Sequence, residues 1–130
     1  MQRSHTPCSG ERGVRLETLD LARSVVDSLV DGQGEDVLLL DISEVSIIAD
    51  YFVIASVSSE RQAKALIEAV TTQCKESLGT RPWRIEGEPS DGWVLIDYGG
   101  VVVHLFAPEA RSYYDLEELW KASRVVVRVQ

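Results

Sequence analysis

The stretch "WVLIDYGGVVVHLF", residues 93–106, constrains this chain more than any other. Two apolar runs of strand length flank Gly99 and Gly100, which is the pattern of a tight β-hairpin. A two-residue type I′ turn needs positive φ at both central residues, and glycine supplies it without steric cost. That turn sets the register: Trp93 faces Phe106, Leu95 faces His104 and Asp97 faces Val102. Alternation then divides the hairpin into two faces. Val94, Ile96, Tyr98, Val101, Val103 and Leu105 make an aliphatic face that belongs in a core. Trp93, Leu95, Asp97, Val102, His104 and Phe106 make a second face, too apolar for an ordinary wet surface and too polar for an ordinary core. Aromatic anchors edged by Asp and His have the composition of a protein interface. The alternative is that a helix covers this face, with Asp97 and His104 at its rim.

The remaining segments complete an α/β pattern. Residues 1–13 read as a disordered leader, and 14–130 as a single domain. Leu19, Ala22, Val25, Val26, Leu29 and Val30 recur at helical spacing, and Gly32 ends the run. "VLLLDI" (37–42) and "YFVIASV" (51–57) are near-continuous apolar runs, expected to be strands buried on both faces. Ser59 and Gln62 have capping-box spacing ahead of a helix striped by Ala63, Leu66, Ile67, Val70, Cys74 and Leu78. "RPWRIEG" is an edge strand or strand start because of Pro82. After the hairpin come a short helical region, with Asp115 and Glu118 spaced for a second capping box, and "RVVVRV" as a short terminal strand. The expected fold is α/β: a mixed sheet of about five strands flanked by helices.

Charge and motifs narrow the function. Asp and Glu outnumber Lys and Arg, 21 against 13, for a net charge of −8. Such a balance disfavours a phosphate backbone as partner and suits a basic protein; the alternative is that the charge only keeps the domain in solution. Two cysteines, Cys8 and Cys74, make no disulfide framework, no run is long enough to span a membrane, and the polar leader is no secretory signal, so the cytoplasm is the expected location. No metal-binding or phosphate-loop motif is present. Gly32 and Gly34 precede a strand instead of following one, and read as a helix stop and turn. Asp41 and Glu44 are expected in a strand-end turn and Asp50 at the mouth of the next strand, in place of a metal site.

Three ordered blocks, "DISEVSIIADYFVIASVSSERQAKAL", "WVLIDYGGVVVHLF" and "EARSYYDLEELW", resemble the ribosomal silencing factor family, also called Iojap or RsfS. The resemblance runs from about Leu16 to Trp120. It implies a nucleotidyltransferase-like fold that is catalytically inactive and uses no cofactor. The Gly-Ser and Asp-x-Asp signatures of active nucleotidyltransferases are absent here. It further implies binding to protein number fourteen of the large ribosomal subunit, obstruction of subunit joining, repression of translation when nutrients are scarce, and a homodimer when free. Little direct nucleic-acid contact and no membrane contact are expected. On the hairpin block, the partner-binding residues carried over are Trp93, Leu95, Asp97, Tyr98 and His104. Family members usually have Asp after the turn glycine, where this chain has Gly100, which removes one acidic contact.

Two other functions compete. Asp97 and His104 are diagonal neighbours, so a carboxylate oriented towards an imidazole would serve a nucleotide-handling enzyme. Alternatively, Trp93 and Phe106 pair across a two-fold axis in a simple dimerisation module.

Overall fold

The structure, a computed structural model, describes residues 10–44, 46–47, 49–114 and 124–129, with side chains of the first helix from Thr18 onward and of the third helix up to Arg111. In chain order the elements are α1 (Gly10–Asp31), β1 (Glu35–Asp41), β2 (Tyr51–Ser56), α2 (Glu60–Leu78), β3 (Arg84–Glu86), a 3₁₀ turn (Pro89–Asp91), β4 (Trp93–Asp97), β5 (Val101–Phe106), α3 (Pro108–Tyr114) and β6 (Arg124–Val129). The strands form one six-stranded sheet in the order β3-β4-β5-β2-β1-β6. Only β2 and β5 pair in parallel; the other neighbours are antiparallel. The chain is thus the expected mixed α/β sheet, with the terminal "RVVVRV" as its sixth strand.

The two apolar runs lie side by side in the sheet. Every residue of β2 is buried, as are the last five of β1. Leu21, Ala22, Val25, Val26 and Leu29 of α1 pack with Ala63, Leu66, Val70 and Cys74 of α2 on one sheet face. There they meet Val37, Leu39, Val53, Ala55, Val94, Ile96, Val101, Val103 and Leu105. Ridges of both helices thus bury the alternate strand positions that point their way. Leu78 and Val30, both expected on buried stripes, are instead largely exposed because each lies in the last turn of its helix. Leu38, Leu40, Ile42, Ala49, Phe52, Ile54 and Phe106 form a second, smaller cluster, with Trp93, Val102 and Ala110 against it.

Local chemistry explains the helix ends. Ser59 Oγ accepts the Gln62 N–H at 3.0 Å, the first half of a capping box. The second half shifts by one residue: Gln62 Oε1 accepts from the Ser58 N–H at 2.7 Å. Its amide nitrogen donates to the Gln33 carbonyl at 2.8 Å, tying the start of α2 to the turn after α1. Gly79, at φ 64°, closes α2, its N–H and that of Thr80 donating to the carbonyls of Lys75 and Cys74. Helix α1 begins at Gly10, four residues inside the stretch expected to be a leader. Residues 1–9 and the expected Asp115–Glu118 cap lie outside the described residues.

Asp41 serves its own turn, as expected: Oδ1 accepts from the Ser43 N–H (3.0 Å) and hydroxyl (2.7 Å). Its Oδ2 also takes Arg124 Nη2 at 2.9 Å, which fastens β6 to β1. Arg111 is buried under α3 and donates from Nη1 to the Asp36 carbonyl (2.8 Å) and to Ser56 Oγ (2.9 Å). Among the described residues, no helix is long and apolar enough to cross a membrane. Replacing Arg111 with Ala leaves those buried acceptors without their charged donor. The expected loss is about 2 kcal/mol of unfolding free energy, measured by urea denaturation.

Candidate docking site on the second sheet face

The hairpin register matches the alternation argument: Trp93 pairs with Phe106, Leu95 with His104 and Asp97 with Val102. The turn differs in type. Gly99 has φ 91°, but Gly100 is not in the positive-φ region, so the expected type I′ pattern gives way to the sign pattern of a type II′ turn. Both glycines have packing reasons as well. A Cβ on Gly99 would sit 2.8 Å from the Trp83 ring, and one on Gly100 would sit 3.0 Å from the Thr18 methyl. The Gly100 carbonyl accepts the N–H groups of Asp50 and Tyr51 at 2.8 and 3.0 Å, which starts β2 beside β5.

The second face carries an aromatic cluster. Trp93 stacks on Phe106 with centroids 5.3 Å apart at 24°, and on His104 at 6.0 Å and 28°. Phe52 meets the imidazole edge-on at 4.7 Å. The indole N–H of Trp93 donates to His104 Nδ1 at 3.2 Å. Phe106 and His104 are buried, whereas Trp93 and Leu95 are only half-buried. The face is therefore neither open nor sealed: it is a minor core whose margin reaches solvent along β4.

The expected partner-binding residues separate into two groups. Trp93, Leu95 and Asp97 lie on this face within reach of solvent. His104 is 4% exposed, and Tyr98 is buried on the opposite face in the main core, so neither offers its side chain to a partner as placed. Burial pushes the Tyr98 phenol well above its ordinary range, with the neighbouring Cys74 a smaller cause. Burial pushes the His104 imidazole down to about 4, so it is neutral at pH 7.

Asp97 shapes the turn. Its Oδ1 accepts the Gly99 N–H at 2.8 Å, and Oδ2 meets Arg84 Nε at 3.3 Å. Glu86 shares that guanidinium at 3.3 Å, so one cation stands between two carboxylates. With Asp97 engaged there and His104 Nδ1 engaged by Trp93, the carboxylate–imidazole pair that an enzyme would need is not formed. Among the described residues, no group of three or more His, Cys, Asp or Glu is clustered to hold a metal ion.

Sequence reasoning passed over Trp83. It is 78% exposed, and it flanks a recess of about 250 Å³ with Ile47, Ala49, Asp50, Gly99 and Gly100. Its N–H donates to the Asp97 carbonyl at 2.7 Å, extending the β3–β4 ladder. A tryptophan beside Pro82 at a strand start was the available signal. What it lacked was the register that brings Trp83 to the hairpin turn.

The arrangement defines a class: an α/β domain presenting an aromatic cluster at the margin of one sheet face. Comparison with known proteins narrows the class to a family. The family described as "Ribosomal silencing factor during starvation" matches residues 15–130. The chain is 42% identical over 100 residues to ribosomal silencing factor RsfS of Zymomonas mobilis, covering 77% of this chain and 74% of that protein. It is 42% identical over 90 residues to RsfS of Bacillus subtilis, covering 69% and 75% of the two chains. A crystal structure of a Chromobacterium violaceum protein superposes with a TM-score of 0.75 at 36% identity, covering 80% of this chain and 86% of that one. The chain belongs to the ribosomal silencing factor family, RsfS or Iojap.

The buried imidazole makes stability pH-dependent. Its folded pKa, about 4, lies below the unfolded value of 6.5, so the unfolded chain binds the extra proton between those limits. Stability attributable to His104 therefore falls as pH drops through that window, by about 2–3 kcal/mol at pH 4.5. Urea denaturation at pH 7, 5.5 and 4.5 measures this; the His104→Leu variant should lose stability less steeply over the same range.

Proposed function

We propose that this chain is a steric silencer of translation. It docks the β4 margin of its second sheet face onto protein number fourteen of the large ribosomal subunit. Its bulk then stands where the small subunit would join, and translation is repressed when nutrients are limiting. No covalent chemistry and no cofactor are required, and the chain works in the cytoplasm. When free of the ribosome it pairs as a homodimer, with docking and pairing in competition if both bury Trp93.

One observation carries this reading: Trp93 is held half-buried at a sheet margin, on the same strand face as Leu95 and Asp97, in a chain of net charge −8. A large aromatic that folding leaves partly wet still has apolar area to bury against a partner. The acidic balance favours a basic partner over bare nucleic acid. Family membership supplies the ribosome as the place to look. Tyr98 and His104 act from within: Tyr98 anchors the turn to the main core, and His104 supports Trp93. The Asp97–His104 pair that the enzyme alternative drew on is not formed, as Asp97 bonds Gly99 and His104 bonds Trp93.

Truncating a hot-spot tryptophan costs about 2 kcal/mol or more. Trp93→Ala should weaken co-sedimentation with purified large subunits by roughly 30-fold while leaving the circular-dichroism spectrum unchanged. Binding equal to that of the unaltered chain would refute the site.

A further inference from the structure

We propose that His104 is a positioning residue: its Nδ1 takes the Trp93 indole N–H and fixes the ring, so that carbon surface and not the N–H is what Trp93 presents to its partner. The inference rests on the docking reading above, and it adds how the anchor is held and which chemistry it offers.

Strand register brings the two rings together. Leu95 lies opposite His104, and Trp93 opposite Phe106, so the imidazole is the diagonal neighbour of the indole on one face. The indole has a single polar atom, and that atom points inward, 3.2 Å from Nδ1. What remains at the surface of this side chain is C–H edge and π cloud. Such a surface suits the aliphatic stems and flat guanidinium groups of a basic protein, which stack on aromatic faces. It does not suit a pocket built around a hydrogen-bond acceptor for the indole.

The imidazole cannot easily turn away. It lies nearly parallel to Phe106, 5° between planes with centroids 6.0 Å apart, and Phe52 closes on it at 65°. An Nδ1 that accepts must be unprotonated, so the neutral ring carries its proton on Nε2. Burial keeps it in that neutral form. Nε2 is itself buried without a hydrogen-bond partner, which is a cost to folding. Leucine or phenylalanine would fill this apolar site without that cost. The polar ring therefore needs a reason, and the bond to Trp93 is the one the structure provides. A ring already held in place loses less side-chain entropy on docking than a free one, and that saving appears as affinity.

The test uses the full chain, purified large ribosomal subunits, and ¹⁵N-labelled indole signals, with Trp93 assigned through Trp93→Phe. His104→Leu removes the acceptor. His104→Asn places an amide oxygen close to where Nδ1 stood. The Trp93 indole proton should exchange slowly with solvent in the unaltered chain and in His104→Asn, and rapidly in His104→Leu. Binding should weaken roughly five- to tenfold in His104→Leu, in line with one side chain losing its pre-ordering, and stay within about twofold in His104→Asn. Equal affinity of folded His104→Leu and the unaltered chain overturns the proposal, even while Trp93→Ala weakens binding. Docking itself fails separately, if Trp93→Ala binds normally. Should neither histidine variant fold, the unaltered chain decides: rapid exchange of its Trp93 indole proton overturns the proposal, and slow exchange upholds it.

Discussion

The position of β5 between β2 and β4 is the constraint on which the rest depends. Its parallel pairing with β2 holds it in the sheet interior, and its antiparallel pairing with β4 passes the side-chain phase outward. Burial then fades strand by strand. All of β2 is buried, β5 has one half-buried residue, β4 alternates between buried and half-buried, and β3 is exposed throughout. On the helix side the fade is slow, because Val94 and Ile96 still belong to the core cluster that α1 and α2 share with the sheet. On the other side it is fast. Trp93 stands where that second cluster runs out, with Phe106 and His104 beneath it and solvent reachable beyond.

This gradient accounts for the mixed character of the face and supports its proposed use in docking. A half-apolar hairpin surface is what a margin between core and solvent requires. Residues toward β5 must be packable, and residues toward β3 must tolerate water. Asp97 illustrates the outer limit. Its carboxylate pins the Gly99 turn and meets Arg84, so it serves local structure at the end of β4 away from Trp93.

Much of this was legible in the residues. Strict alternation along 93–106, together with Gly99 and Gly100, yields the observed cross-strand pairs. The runs 37–42 and 51–57 read as doubly buried strands for the same reason that they lie in the sheet interior: they are almost wholly apolar, and their polar members, Asp41 and Ser56, sit near strand ends with partners in Ser43, Arg124 and Arg111. What escaped depends on distant parts of the chain. The crowding that a side chain would meet at the turn, from Trp83 over Gly99 and Thr18 beside Gly100, comes from contacts that no local pattern encodes. The family resemblance offered His104 and Tyr98 as contact residues, whereas alternation along the hairpin already put Tyr98 on the core face where it lies; the burial of His104 is set by Phe52 and its aromatic neighbours. The Gln62 cap moved by one residue because its amide also bonds the turn after α1.

The account stands on the β4 margin being the surface that meets the ribosome. An electron cryo-microscopy reconstruction of this chain bound to the large subunit examines that claim most directly. The account predicts Trp93 buried against ribosomal protein fourteen, with Leu95 and Asp97 at the edge of the contact. A complex held by another surface, with Trp93 still facing solvent, would contradict it.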